Sequence, residues 1–134
     1  MTAMPIAEDL ESIVGLLVVD DHGEPRAIRT AFFSEVAHHP TSLWVSVEKG
    51  SRIFERIIES RQFTMAVLHC GQQEGWRFYS HDGFHFVEDA LSSTACRVLQ
   101  EIDLGTHTVF VAEMIEGHVR KGHPKRNLLA SDLR

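Results

Sequence analysis

The sequence contains several short runs of apolar residues, many of them β-branched, and polar clusters with glycine or proline separate most of these runs. Runs of this length and composition are typical of β-strands, because β-branched side chains fit the pleated surface of a sheet. Six strands are predicted, over residues 13–20, 27–33, 42–48, 63–68, 92–100 and 106–115. Free strands leave unpaired backbone groups at sheet edges, and closure into a barrel removes those edges. The pattern therefore predicts a mainly β chain that forms a small barrel.

One segment has helical periodicity. Four apolar residues recur at the spacing that places side chains on one face of a helix: Ile53, Phe54, Ile57 and Ile58. Ser51 precedes them and is a candidate N-cap. Residues 69–89 are polar and aromatic without a clear period, so no element is predicted there.

The size and charge of the chain limit its class. A chain of 134 residues, 43% hydrophobic and 24% charged, predicts one domain over 1–134, with a core over 12–118 and a basic tail over 119–134. The formal net charge of -6 disfavours binding to nucleic-acid phosphates and to anionic membranes. No apolar run reaches the roughly 20 residues of a membrane-spanning helix, and the N-terminus lacks the order of a signal peptide. A cytoplasmic location is expected.

Several enzyme motifs are missing from the sequence. Its glycines form no GxGxxG fingerprint and no phosphate loop, and it contains neither GxSxG nor HExxH. Cys70 and Cys96 lie in apolar, strand-like contexts without the spacing of a zinc site. Both are predicted to be buried, reduced thiols.

The nine histidines raise the question of a metal site. His81 and His85, with Asp82 between them, would converge on one ion only if this segment were helical. Gly83 and the flanking aromatic residues disfavour a helix here. No metal site is predicted.

The segment Lys49–Gly50–Ser51–Arg52 lies between a predicted strand and the predicted helix. The first N–H groups of a helix have no intrahelical acceptor and carry partial positive charge, so an anion fits there. A hydroxyl and a guanidinium would add directed hydrogen bonds to a phosphate. Equally, Ser51 could serve only as the helix cap, with the cations in water.

The order of these segments resembles the flavin reductase-like domain of the FMN-binding split-barrel superfamily. The strongest match is GTHTVFVAE at 105–113, which is similar to the family's G-D-H-T-[LIV]-F-[VI]-G-E strand, and CRV at 96–98 resembles its L-x-C-[RK]-V segment. The resemblance runs from about 13 to 118 and implies a six-stranded split barrel of Greek-key type. It also implies a homodimer, which would cover the aromatic stretch 76–86.

The resemblance assigns a role to ten residues. Those implied in cofactor binding occur in two segments: Arg29, Thr30, Ala31, Phe32, Ser46, Val47, Lys49, Ser51 and Arg52. The first segment would line the flavin ring and ribityl chain, 46–47 would contact the ring or ribityl chain, and 49–52 would hold the phosphate. His107 would lie on the nicotinamide side as the catalytic residue.

The implied activity is NAD(P)H-dependent reduction of FMN, or of FAD, with a monooxygenase as a partner that uses the reduced flavin. The sequence departs from the family pattern at Ala31 and Phe32, where small polar residues are common, and at Gly50, where the loop is usually K-S-S/T. The basic tail also lacks the aromatic residue of the family's usual L-L-Y-x-R-G ending. These departures motivate one alternative, a non-catalytic flavin- or heme-binding module. The arginines near 26–29 and the KGSR loop motivate another, a pyridoxamine phosphate oxidase-like oxidoreductase.

Overall fold

Strands dominate the computed structural model, which describes residues 13–30, 32–35, 42–69 and 75–119. The elements in these ranges are β1 (Ile13–Asp21), β2 (Glu24–Thr30), β3 (Phe32–Glu35), β4 (Ser42–Glu48), α1 (Arg52–Ser60), β5 (Gln62–His69), β6 (Phe78–His81), β7 (Phe84–Val87), β8 (Ser92–Asp103) and β9 (His107–Val119). The expected mainly β fold with one helix is confirmed. The expected number of six strands is wrong, because the described residues form nine. Among the described residues, no helix is long and apolar enough to cross a membrane.

Seven strands form one antiparallel sheet in the order β2-β1-β5-β8-β9-β4-β3, and β6 pairs with β7 in a separate hairpin. The large sheet curls so that its edge strand β2 approaches β4, where the Thr30 hydroxyl donates to the Ser46 carbonyl at 3.5 Å. Pro25 lies within β2 rather than before it. An edge strand tolerates proline, since the missing N–H can face away from the sheet. The curled sheet confirms the expected split-barrel architecture.

Strands β1 and β5 bury both of their faces. Leu17 and Val19 point into the barrel core with Phe63 and Met65, whereas alternate residues such as Leu16 enter a second core on the opposite face. Strands covered on both sides need apolar residues at nearly every position. This two-sided burial explains why residues 15–19 and 63–68 are almost entirely apolar.

The β6–β7 hairpin covers this second core, and sequence reasoning missed it. Its turn residues Asp82 and Gly83 both have positive φ, 54° and 85°. This conformation explains the Asp-Gly dipeptide, which is a frequent signal of a two-residue hairpin turn. Phe86 is fully buried, and Phe78 packs against the second core. The chain itself therefore covers much of the aromatic stretch, and the expectation that a partner must do so is wrong for these residues.

A hydrogen bond between His85 and Asp20 fixes the hairpin to β1. His85 of β7 is 9% exposed, and its Nε2 lies 2.7 Å from the Asp20 carboxylate, while its Nδ1 contacts the Ser80 hydroxyl at 3.2 Å. The bond to His85 is the main cause that lowers the pKa of Asp20, and the Gly23 N–H also lowers it. The strand alternation separates His85 from His81, which is exposed, so these two histidines do not converge.

The two cysteine predictions have different outcomes. Cys96 is a free thiol with no exposed surface, and burial raises its pKa, which confirms the predicted buried thiol. Cys70 lies outside the described residues.

The contact between Asp20 and His85 predicts a pH-dependent effect of Asp20→Asn. A carboxyl whose pKa falls on folding stabilises the fold above its unfolded pKa of about 3.9, and this stabilisation is lost as the pH drops through the lower folded pKa. Because the Asp20 side chain is 40% exposed, solvent weakens the bond, and we expect a cost of about 1 kcal/mol at pH 7. Urea unfolding at pH 7 and pH 3 measures the difference.

The difference in stability between Asp20→Asn and the parent should shrink at pH 3, because this pH is below the unfolded pKa and the unfolded parent takes up a proton at this carboxyl. Glu24→Gln is the matched control, since Glu24 is an exposed acid at the same β1–β2 turn. An equal loss of stability at both pH values would contradict the assignment.

Candidate functional site

The end of β4 and the start of β9 bring two predicted site segments together. Glu48 pairs directly with His107 in the antiparallel register of these strands. The Lys49 N–H donates to the Thr106 carbonyl at 3.0 Å, which continues the pairing by one residue. The candidate phosphate loop at 49–52 therefore begins beside the predicted catalytic histidine, although 58 positions separate Lys49 from His107 along the chain.

The alternation of β4 decides which of its side chains can meet a ligand. Val47 has no exposed surface and belongs to the barrel core, whereas Ser46 and Glu48 are exposed on the other face. Only the backbone of Val47 could contact a bound cofactor. Ser46 keeps its side chain available on the outer face.

In the predicted segment 29–32, Thr30 has a hydrogen bond to β4. The Thr30 hydroxyl donates to the Ser46 carbonyl, which links β2 to β4. Arg29 is exposed on β2, and the backbone of Phe32 pairs with Val45 through β3. Ala31 lies outside the described residues.

Ser51 caps α1. Its Oγ accepts a hydrogen bond from the Phe54 N–H at 3.1 Å and donates to the Glu48 carbonyl at 2.8 Å. The predicted cap is confirmed. The N–H groups of Arg52 and Ile53 have no intrahelical acceptor at this end of the helix, so they can serve an anion.

Gly50 explains one departure from the family loop. Its φ is 85°, in the left-handed region, and an added Cβ would meet nothing within 4 Å. The constraint is therefore conformational, since glycine adopts positive φ without the penalty of other residues. The glycine gives this loop its turn before the helix.

Carboxylates hold the cations of this loop. Lys49 Nζ lies 2.7 Å from the Asp103 carboxylate, and both side chains are well exposed. Arg52 donates to both oxygens of Asp21, at 2.6 and 3.0 Å, and to Glu55 at 3.2 Å. An exposed single-contact pair such as Lys49–Asp103 contributes little and exchanges readily. A two-bond arginine–carboxylate pair is stronger and geometrically fixed.

Asp21 is a shared acceptor for arginines. Its side chain is 9% exposed and receives hydrogen bonds from Arg52 and Arg26, and Arg56 lies 3.9 Å away. The Arg52 and Arg26 bonds, Arg52 first, hold the pKa of Asp21 well below its usual range. Arg26 and Arg52, which would bind a phosphate in the pyridoxamine phosphate oxidase-like alternative, thus both bind the Asp21 carboxylate.

The residues at this helix start fit a phosphate in part. The free helix N–H groups and the exchangeable Lys49 offer donors to an anion. Arg52 would have to leave two carboxylates before it could join them. Its role as a phosphate ligand stays a prediction.

His107 is exposed at the first position of β9. Its Nδ1 lies 3.0 Å from the Thr106 hydroxyl, and its carbonyl accepts the Leu104 N–H at 2.8 Å. The Thr106 contact occupies Nδ1, so Nε2 is the ring nitrogen that could meet a bound nucleotide.

A second polar cluster lies at the other end of β9, and sequence reasoning missed it. Glu116 and His118 of β9 meet His81 and Asp82 of the β6–β7 turn. The Asp-Gly turn signal could have located the hairpin. The β9 residues that contact the hairpin lie more than 30 positions away along the chain, so only the tertiary fold reveals them.

Comparison with known proteins supports the resemblance. The family model "Flavin reductase like domain" matches residues 74–132. An NADPH-flavin oxidoreductase of Streptomyces viridifaciens is 25% identical over 91% of this chain and 74% of its own length. A flavin reductase (NADH) of Kitasatospora aureofaciens is 25% identical over 76% of this chain, which spans 62% of that relative.

A solved structure shares the fold. The styrene monooxygenase flavin reductase from Pseudomonas putida S12 superposes with a TM-score of 0.73 and 17% identity, over 84% of this chain and 82% of that one. At this identity the likeness concerns the fold alone. Together, the family match and this architecture confirm the resemblance inferred from the sequence.

Proposed function

We propose that this flavin reductase-like chain of split-barrel fold is an NAD(P)H-dependent flavin reductase. The observation that carries the proposal is the pairing of Glu48 with His107, which sets the helix-start loop beside the histidine. A flavin bound here would supply the ring that accepts a hydride from the nicotinamide. The residues of the chain would then orient the two nucleotides and hold them together.

FMN is the flavin that we propose for this site. One helix start offers the N–H groups of Arg52 and Ile53 to one anionic group, and a terminal monophosphate matches that arrangement. Lys49 can turn from Asp103 to the phosphate, because its present pair is exposed. Ser46 and Thr30 would face the ribityl chain or ring from the neighbouring strand ends.

His107 would act on the nicotinamide side. Its backbone is held in the β4–β9 ladder, and its Nδ1 contact with Thr106 restricts the ring. A ring held in this way can direct Nε2 to a polar group of the nucleotide. Its contribution is orientation in the transition state rather than affinity for the flavin.

Lys49→Gln should weaken FMN binding about tenfold, because a charge-assisted contact to phosphate is worth roughly 1.5 kcal/mol. FMN titration followed by flavin fluorescence measures this change. Lys49→Gln should leave the melting temperature nearly unchanged, since its pair with Asp103 is exposed.

Arg52→Gln is the matched contrast in the same loop. Because Arg52 binds Asp21 and Glu55, its loss should lower the melting temperature more than Lys49→Gln does and affect FMN less. If both variants bind FMN as tightly as the parent, the loop is not the phosphate site.

His107→Ala should lower NAD(P)H-dependent flavin reduction at least tenfold, equivalent to about 1.4 kcal/mol of transition-state stabilisation, with FMN affinity retained. Steady-state oxidation of NADH and NADPH, with FMN titration in parallel, separates the two effects. Equal loss of FMN binding would make His107 a structural residue. A parent protein that binds flavin but oxidises neither nucleotide would instead be a binding module.

We also propose a homodimer formed through the outer face of β4, β9 and β8. Trp44 is 37% exposed and pairs with Val111, and the bulge of β8 places Leu99, 52% exposed, near the same row. A row of apolar side chains across three strands is suited to an interface between copies of one chain. Such an interface would shield the face that also carries Ser46.

Leu99→Glu should shift the protein from dimer to monomer, because a buried charge without a partner is costly at an interface. Sedimentation velocity at micromolar concentration measures the mass. Ile58→Glu is the control, since Ile58 is also an exposed apolar residue, at 37%, but lies on α1. A flavin-loaded parent that sediments as a monomer would refute the dimer.

A monooxygenase that consumes reduced flavin is the partner that we propose. One protein that shares this fold is named as the flavin reductase of a styrene monooxygenase. A reductase of this kind would release reduced flavin for use by a second protein. The exposed position of His107 and of the helix start is consistent with exchange of the flavin at this edge.

A further inference from the structure

The cluster at the end of β9, termed here the His–carboxylate cluster, consists of His81, Asp82, Glu116 and His118. His81 and Asp82 belong to the β6–β7 hairpin, and the other two belong to β9 of the large sheet. The cluster thus joins two sheets that do not share a strand. It lies at the opposite end of β9 from His107.

Three of its side chains have the spacing of metal ligands. His81 Nε2 lies 3.3 Å from an Asp82 oxygen and 3.4 Å from Glu116 Oε2, and the three ligand atoms all lie within 4.8 Å of one another. Zinc bonds of about 2.0–2.1 Å in a tetrahedron place neighbouring ligand atoms about 3.4 Å apart. The two distances from His81 therefore match the edges of a zinc tetrahedron.

His118 supplies a second, independent observation. Its Nε2 lies 2.7 Å from the same Glu116 oxygen, and its Nδ1 lies 2.5 Å from the Tyr79 hydroxyl. Its ring stacks on Phe86 with centroids 4.0 Å apart and an interplanar angle of 5°. Histidines that bind metals usually have their other ring nitrogen held by a hydrogen bond, which fixes the ring. His118 is oriented in this manner, with Nε2 directed at the cluster.

The charges of the cluster suit a divalent cation. Asp82 and Glu116 bring two carboxylates to the cluster, and the Glu116 oxygen faces both imidazoles. An ion would replace the hydrogen bond that now links His118 to Glu116. Two imidazoles with carboxylates favour Zn²⁺ over Mg²⁺ or Ca²⁺, which prefer oxygen ligands alone.

We propose that His81, Asp82 and Glu116, together with His118, bind one Zn²⁺ ion that links the β6–β7 hairpin to β9. A two-stranded hairpin is marginal by itself, and this one pairs with no strand of the large sheet among the described residues. A metal link at its turn would add to the His85–Asp20 bond and to the packing of Phe78 and Val87 against the second core. The site is open to solvent, since His81 is 52% exposed and Asp82 is 73% exposed.

The test uses the full chain, free of affinity tag and treated with a chelator. Titration with Co²⁺ reports tetrahedral binding by visible absorption, and addition of Zn²⁺ should displace Co²⁺ and raise the melting temperature. We expect one equivalent to bind, with at least tenfold weaker binding in His81→Ala and in Glu116→Gln. Both residues are partly exposed, and matching circular dichroism and metal-free melting temperatures verify that each variant folds.

His22→Ala is the matched control. His22 occupies the corresponding turn of the β1–β2 hairpin, is 73% exposed and lies 3.8 Å from Asp21. This variant should bind Co²⁺ as the parent does. The proposal is overturned if the parent binds no stoichiometric Co²⁺, or if His81→Ala and Glu116→Gln bind it as tightly as the parent.

Discussion

The covering of β1 and β5 on both faces is the constraint on which the rest of this structure depends. One face of each strand must meet the barrel interior, and the other needs a separate cover, since exposed leucine and valine at every second position would be costly. The barrel core satisfies the first need through residues such as Phe63 and Phe110. The β6–β7 hairpin satisfies the second, and it is held there by His85. The placement of the hairpin in turn creates the contact between His81 and Glu116.

Sequence reasoning identified the elements whose signals are local. The cap at Ser51, the helix spacing of Ile53 and Ile57, and the β-branched runs each involve neighbours within a few residues. The hairpin was missed because its aromatic residues lie on both of its faces, so its sequence shows no simple alternation. Phe78 packs against the second core, whereas Tyr79 and Phe86 stack with His118. The two-residue turn at Asp82 was nevertheless a local signal of a hairpin.

The candidate site was predictable as a set of segments but not as a set of contacts. The sequence places Lys49 and Arg52 three positions apart, and both are cations at a helix start. The structure distinguishes them by their partners, since Lys49 meets the exposed Asp103 while Arg52 meets Asp21, which is largely buried. Those carboxylates lie 54 and 31 positions away along the chain. No pattern within the loop reveals which cation is free to exchange.

The two proposed sites lie at opposite ends of one strand, and this arrangement makes them separable. His107 opens β9, and Glu116 follows nine residues later, a span of about 30 Å in an extended strand. At that distance, exposed charges are screened at physiological salt, since the Debye length is about 8 Å. The negative charge of the chain therefore acts on the two ligands locally: acids such as Asp103 compete with a phosphate at one end. At the other end, Glu116 attracts a cation. A variant at either end should leave the ligand at the other end unaffected.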